Sequence, residues 1–419
     1  MVDHLIPRRV RQVATESMDT FRAVVVHGAR QVGKSTLVEQ IATELGARMS
    51  SLDDEIDLRL ALDDPGSYLA DLGSPAVIDE IQRAGDRLLL AIKSRLDHSR
   101  AAGQYLLTGS TNFLTTPQLS ETLAGRIDIV TLWPLSMGEA LEGNDDFVDR
   151  AFAAPLELVD HSGSTPNRVE YLNMVCRGGY PEVQRMSNRP RDRWFDQYLD
   201  TVLLREVETA ADLRRIGGLR SLARLLLSTT GSELVISRLA NDLRLDRATV
   251  EAYAPWLETA FLVHRLPAWG RNVTTKVVHR PKLHACDTGL AAGVLGKSVE
   301  ALSRLNDPST GTLVESFVVA ELAKQLTWST TRASLHHLRE SNGLEIDVIV
   351  ETRDGRVLAI EVKASTVPRP EDAAALASLR DRLDRVGSDF AIGVVFHTGA
   401  RRVVLGDRLV GLPIADLWT

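Results

Sequence analysis

The stretch AVVVHGARQVGKSTLVEQIATELG, residues 23–46, restricts what this chain can fold into more than any other. Its β-branched run gives a strand, a turn with Gly28 and Gly33 follows, and apolar residues at helical spacing continue to a terminating Gly46. The spacing G-x-x-x-x-G-K-S from Gly28 to Ser35 suits a loop that wraps phosphate groups. Gly28 and Gly33 would let the backbone close around the anion while amides at the helix start donate to its oxygens. Lys34 is expected at the β- and γ-phosphates of ATP and Ser35 at a Mg²⁺ ion, with Thr36 completing the nucleotide-binding run.

The next segments extend this pattern. SPAVIDEIQ (74–82) reads as a strand ending in Asp79 and Glu80, a pair suited to supporting Mg²⁺ and polarising an attacking water. YLLTGS (105–110) is a further strand, whose Thr108 and Ser110 hydroxyls suit either a γ-phosphate sensor or the cap of the next helix. Strand segments at 23–27, 47–52, 75–79, 105–108 and 127–132 alternate with helical ones, which predicts an α/β domain over 1–150 built on a parallel sheet. The polar motifs fall at the strands' carboxyl ends, where ligands bind in such sheets. Arg126 stands just before the fifth strand and fits either an arginine finger, in its own or a neighbouring subunit, or a plain surface arginine.

At 419 residues the chain is too long for one ordinary core. No apolar run is long enough for a membrane span or a signal peptide, so a cytoplasmic protein without membrane partners is expected. Cys176 and Cys286 are the only cysteines and lack metal-ligand spacing, which argues against a disulfide framework or a zinc site. The net charge of −7 excludes a protein that coats nucleic acid indiscriminately, yet residues 217–300 hold 11 Lys and Arg against 7 Asp and Glu. Lysine is scarce: 7 of the 49 basic residues, with Lys34 and Lys363 falling in motifs.

Residues 151–216 read as a junction followed by a helical lid, with RGGYPEV (177–183) as a turn. Over 217–300 the helix Val235–Leu243, a short turn and a second helix capped near Asp246 have the spacing of a helix-turn-helix. Residues 262–287 can supply the strands of a wing, with Arg244, Arg247, Arg271, Lys276, Arg280 and Lys282 as candidate phosphate contacts to DNA. Winged helices also serve as protein-interaction modules, so both partners stay open.

Over 301–419, SLHHLRESNGLEIDVIVETRDGRVLAIEVKAS (334–365) reads as a β-meander with turns at Asn342-Gly343 and Asp354-Gly355. Glu361 and Lys363 point to one face of the third strand. Because a helix and the strand FAIGVVF (390–396) follow, that strand is expected to be internal and the pair buried. Asp347 and Glu361 would then hold Mg²⁺, while Lys363 orients or helps deprotonate a water for phosphodiester cleavage.

With GARQVGKSTL, VIDEIQ, LLTGS, LAGRI, GGYPEV, LANDLRLDRATVEAYAPWLETAFLVHRL, PKLHACDTGLAA and EIDVIV…IEVKAS, the chain resembles prokaryotic AAA-superfamily P-loop ATPases with a C-terminal domain of unknown function. The resemblance runs over nearly the whole length. It implies a winged helix and a PD-(D/E)xK nuclease-like core, with Glu315, Asp347, Glu361 and Lys363 at the nuclease-like site and Gly33, Lys34, Ser35, Asp79 and Glu80 at the nucleotide site. The expected function is a Mg²⁺-dependent ATPase acting on duplex or branched DNA, with cleavage by the C-terminal domain left open. The alternative is a nucleotide-operated switch engaging a protein partner such as a toxin or regulator. A trans-acting Arg126 would require a homo-oligomer.

Overall fold

The computed structural model describes residues 5–109, 123, 125–160, 163, 165–207, 214–270, 280–304, 307–341, 343–387 and 389–419. They form two compact units, Met1–Pro134 with Thr259–Phe261 and Leu135–Glu258 with Leu262–Thr419. The first unit thus ends ahead of the expected residue 150, and the expected lid, helix-turn-helix and C-terminal domain fall together in the second. The local cause is polar. Met137 N–H donates to Glu321 at 2.8 Å, Val148 N–H to Gln325 at 3.2 Å, and Lys324 Nζ to the Leu135 carbonyl at 2.9 Å. Glu321, Lys324 and Gln325 are buried, so the backbone of 135–148 replaces water as their partner.

In the first unit, β1 (Ala23–Gly28), β2 (Arg48–Ser51), β3 (Ala76–Asp79), β4 (Tyr105–Gly109) and β5 (Ile127–Leu132) form a sheet in the order β2-β3-β4-β1-β5. All its described pairings are parallel. Val24, Val25 and Val26 are fully buried, which suits a β-branched run packed on both faces. The register sets Gly28 opposite Leu132, Val26 opposite Thr108 and Ile78 opposite Leu107, bringing Gly28, Asp79 and Thr108 to one edge of the sheet. The helix Lys34–Leu45 starts from Gly33, at φ +92°, and stops at Gly46, whose left-handed backbone closes it.

The second unit contains two sheets among its described residues. A small antiparallel one has the order β6 (Ser232–Glu233), β8 (Lys282–Ala285), β7 (Val263–Leu266). Beside it in sequence come helices Ile236–Leu243 and Arg247–Thr259; Asp246 accepts from Thr249 N–H at 2.8 Å, the expected cap. Arg244 turns the chain between them at φ +53°.

The larger sheet is mixed and runs β13 (Val403–Gly406), β14 (Leu409–Pro413), β12 (Phe390–His397), β11 (Val357–Lys363), β10 (Glu345–Thr352), β9 (Ala333–Arg339). β9, β10 and β11 form the expected meander, and β11 then pairs with β12 in parallel. β11 is therefore internal, as the sequence suggests, and Glu361 is 7% exposed. The helix Ala374–Arg385 buries Leu376, Leu379 and Leu383 in a core with Ile349, Ala359, Phe390 and Val395. β13 and β14 were not expected. Each has at most five residues and carries Gly or Pro, a composition that reads as loop.

Gly28 is glycine for a packing reason: a Cβ there would lie 2.1 Å from the Leu132 carbonyl oxygen, on the backbone of the neighbouring strand. Gly28→Ala must separate β1 from β5 and is expected to cost about 1–3 kcal/mol. Urea denaturation of the two proteins followed by circular dichroism checks this; an unchanged midpoint would contradict the close approach.

Candidate nucleotide site and acidic cluster

The phosphate-loop lysine is folded back on its own loop. Lys34 Nζ donates to the Gly28 carbonyl at 3.0 Å and the Ala29 carbonyl at 2.8 Å, with the residue 7% exposed. Burial lowers its pKa to about 8; Glu80 and Asp79 push the other way and Arg30 adds to the fall. Among the described residues the ammonium thus has dipoles for partners and no carboxylate in contact, a state that a polyanion would stabilise. Ser35 and Thr36 lie exposed in the first turn of the helix, whose free N–H groups favour anions. Arg8, which the sequence reading passed over, clamps the loop by donating to the Val32 carbonyl at 2.7 Å and the Trp133 carbonyl at 2.6 Å. It precedes the motif by twenty residues and carries no local signal.

At the same sheet edge, the Thr108 hydroxyl donates to Asp79 Oδ1 and accepts from the Glu80 N–H at 3.1 Å. One hydroxyl fixes both acidic residues. Glu80 adopts the left-handed backbone (φ +56°, ψ +43°), a conformation that costs a non-glycine residue about 1–3 kcal/mol and gathers at functional sites. Gln82 Nε2 donates to its carboxylate. Hydroxyl and carboxylate oxygens from Ser35, Asp79 and Glu80 are hard donors of the kind Mg²⁺ takes, so this edge fits that ion. Ser110 lies outside the described residues.

Arg126 requires a correction. Its carbonyl accepts from Ala23 N–H at 3.4 Å, which places it at the amino end of β1 and β5. The phosphate loop lies at the other end, about 20 Å along the strands at 3.3 Å per residue, beyond the reach of an arginine in the same subunit. Its Nε donates to Asp97 at 2.6 Å, which holds that carboxyl below the usual carboxylate range.

The second constellation joins β8, the helix Pro308–Gln325 and β10. Lys282 Nζ lies 3.1 Å from Glu315 Oε1, 3.2 Å from Glu345 Oε1 and 3.8 Å from Asp347 Oδ1. Expected as an exposed phosphate contact, it is instead 3% exposed. Burial alone would lower its pKa, yet Glu315, Asp347 and Glu345 together raise it above the usual lysine range. Desolvation and then the Asp347 charge push Glu315 up to about 7 and Glu361 up to about 8. Asp347 sits where β10 slips by one residue against β9, a bulge that re-aims its side chain. Its Oδ2 accepts from Val362 N–H at 2.9 Å. Glu361 accepts from Lys363 Nζ at 2.7 Å.

The four residues Glu315, Asp347, Glu361 and Lys363 are thus brought into one electrostatic neighbourhood, but around an ammonium ion. Among the described residues no group of three or more His, Cys, Asp or Glu is disposed to hold a metal ion. The Mg²⁺ expected at Asp347 and Glu361 does not fit this arrangement, in which Lys282 faces Asp347 and Lys363 donates to Glu361. His284, two residues along β8, puts Nδ1 3.0 Å from Ser316 Oγ, and burial lowers its pKa well below the usual value. Sequence reading missed Glu345 and the role of Lys282; the scarcity of lysine was the available signal.

Of the candidate DNA contacts, Arg244, Arg247 and Arg280 are exposed, with Arg247 Nε 2.7 Å from Glu251. Arg271 and Lys276 lie outside the described residues. No described helix is long and apolar enough to cross a membrane.

Residues 20–141 match a family described as an AAA domain. Residues 168–301 and 310–417 match two domains of unknown function, DUF8612 and DUF4143. The chain is similar to an uncharacterized protein of Mycobacterium tuberculosis, 26% identical over 398 residues, covering 94% of this chain and 81% of that one. An uncharacterized protein of Methanocaldococcus jannaschii is 22% identical over 413 residues, with 94% and 87% covered. Among solved structures, a Walker-type ATPase of Pyrococcus abyssi is 15% identical and covers 70% of this chain and 97% of its own, at a TM-score of 0.43. That score is too low to argue from. The AAA match over residues 20–141 and the phosphate-loop geometry support an AAA-type, ATPase-like first unit.

Thr108→Val removes the hydroxyl that bridges Asp79 and Glu80, a loss of about 1–3 kcal/mol. Nucleoside triphosphate turnover is expected to fall about tenfold or more while nucleotide affinity stays nearly constant. Steady-state hydrolysis and equilibrium binding on the same preparations check this; equal losses in both would contradict a role for the bridge in turnover.

Proposed function

We propose that this chain is a Mg²⁺-dependent ATPase that acts on duplex or branched DNA. The observation that carries the hydrolytic part is the Thr108 hydroxyl holding Asp79 and a strained Glu80 at the sheet edge where the phosphate loop begins. Lys34, Gly33 and the first turn of the Lys34–Leu45 helix bind the phosphates, Thr36 included. Ser35 and Asp79 would hold Mg²⁺, which supplies charge neutralisation on the phosphate oxygens. Glu80 orients and polarises the attacking water, with Gln82 fixing its carboxylate. Arg126, unable to reach its own phosphate loop, acts only on a neighbouring subunit if it acts on nucleotide at all.

The DNA part rests on the helix-turn-helix pair Ile236–Leu243 and Arg247–Thr259, read with the β6-β8-β7 sheet as a winged helix. Exposed Arg244, Arg247 and Arg280 offer phosphate contacts, and the surplus of basic residues over 217–300 favours an anionic partner. Lys282 is withdrawn from this set, since its charge is taken up by carboxylates.

The test is ATP hydrolysis by the purified full chain with Mg²⁺, titrated with single-stranded, duplex and four-way-junction DNA, with Lys34→Ala as the blank. Turnover is expected to rise with the duplex or junction form and the rise to shrink in Arg244→Ala/Arg247→Ala. Turnover that ignores all three forms would contradict action on DNA and favour a protein partner, and a wild type no faster than Lys34→Ala would contradict hydrolysis itself.

A further inference from the structure

The acidic cluster of the second unit already contains a cation. Lys282 Nζ is within 3.1–3.8 Å of carboxylate oxygens from Glu315, Glu345 and Asp347, which come from a helix and a strand separate from its own. The rest of the cluster is similarly committed: Asp347 Oδ2 accepts from Val362 N–H, and Glu361 accepts from Lys363. A Mg²⁺ ion takes oxygen ligands at about 2.0–2.1 Å in near-octahedral order. It would compete with the ammonium for Glu315 Oε1, Glu345 Oε1 and Asp347 Oδ1, and it would stand close to a like charge.

A surface lysine would swing away to admit it. Lys282 has little freedom to do so, because its side chain is 4% exposed and its strand is fixed on both sides. β8 pairs with β7 from Leu266–Lys282 to Val263–Ala285 and with β6 at Glu233–Lys282 and Ser232–Leu283. The Ala285 N–H also donates to Thr230 Oγ1 at 2.8 Å, and Thr230 meets Ser316 of the Pro308 helix at 2.7 Å. The backbone that carries Lys282 is thus fixed, and the buried ammonium at the end of its side chain is held by the carboxylates.

We infer that Lys282 is the resident cation of this cluster, a tethered ammonium standing in place of a divalent metal, so that the nuclease-like site binds no metal while β8 is docked. The inference goes beyond the ATPase reading and does not depend on it, since none of these residues belongs to the nucleotide site. Its consequence is that the acidic residues serve to anchor β8, and through it the small sheet, onto the Pro308 helix and β10.

The test is Mn²⁺ binding by the nucleotide-free full chain, followed by electron paramagnetic resonance, on wild type, Asp347→Asn, Lys282→Ala and Lys282→Ala/Asp347→Asn. Wild type and Asp347→Asn are expected to bind Mn²⁺ alike. Lys282→Ala should gain a Mn²⁺ site that the double variant loses, and Mn²⁺ should raise its melting temperature while leaving wild type unmoved. Lys282→Gln, which keeps the length but not the charge, serves should the alanine variant fail to fold, and is read the same way. A wild-type Mn²⁺ site weakened by Asp347→Asn would overturn the inference. So would folded Lys282 variants that gain no site, because something other than the ammonium would then exclude the metal.

Discussion

Taking an ammonium ion out of water is costly unless nearby oxygens replace its hydration, and this chain does so at Lys34 and Lys282 with opposite results. Lys34 donates to the carbonyls of Gly28 and Ala29, and burial lowers its pKa to about 8 although Glu80 and Asp79 push the other way. Lys282 is given three carboxylates and its pKa rises. The first site holds a charge that has no counter-charge in contact among the described residues and is suited to receive phosphate. The second already seats an ammonium ion among the carboxylate oxygens that a further cation would have to use.

This contrast organises the two units. In the first, parallel register carries Gly28, Asp79 and Thr108 to one edge, so the lysine, the two acidic residues and the helix N-terminus face the same region. Close packing of Gly28 against Leu132 fixes where the loop leaves the sheet. In the second, an internal β11 and a bulged β10 force acidic side chains inward, and a buried charge needs a partner. Lys282 answers Glu315, Glu345 and Asp347; Lys363 answers Glu361; elsewhere in the same unit Lys324 answers Glu321 at 2.6 Å and Arg402 answers Asp416.

The nucleotide loop was legible in the sequence because its determinants are local: strand, glycines, lysine and helix lie within twenty-four residues. The internal position of β11 was legible because a helix and an apolar strand follow it. Strand order was not, since nothing local tells β1 to sit between β4 and β5. Arg126 precedes the fifth strand and so stands at the amino end of a parallel sheet, which separates it from the phosphate loop at the carboxyl end whatever the strand order. Lys282 was misread for a related reason. It lies in a basic stretch, thirty-three residues from Glu315, and only the pairing of β8 turns it inward. Ser110, Arg271 and Lys276 lie outside the described residues, so the structure adds nothing to their reading.

Proton linkage tests most directly whether the buried Lys34 ammonium is under-compensated until a polyanion binds. A lysine with a pKa near 8 in the free protein is partly neutral just above that pH, and bound phosphates restore its charge. Calorimetric titration of a non-hydrolysable ATP analogue with Mg²⁺, just above pH 8 in two buffers of different ionisation enthalpy, counts the protons exchanged. Net uptake is expected for wild type, fading as the pH is lowered well below 8, and none for Lys34→Arg, whose side chain stays charged throughout. Binding with no proton uptake by wild type would mean that Lys34 is already fully charged before nucleotide binds, and would contradict an under-compensated ammonium.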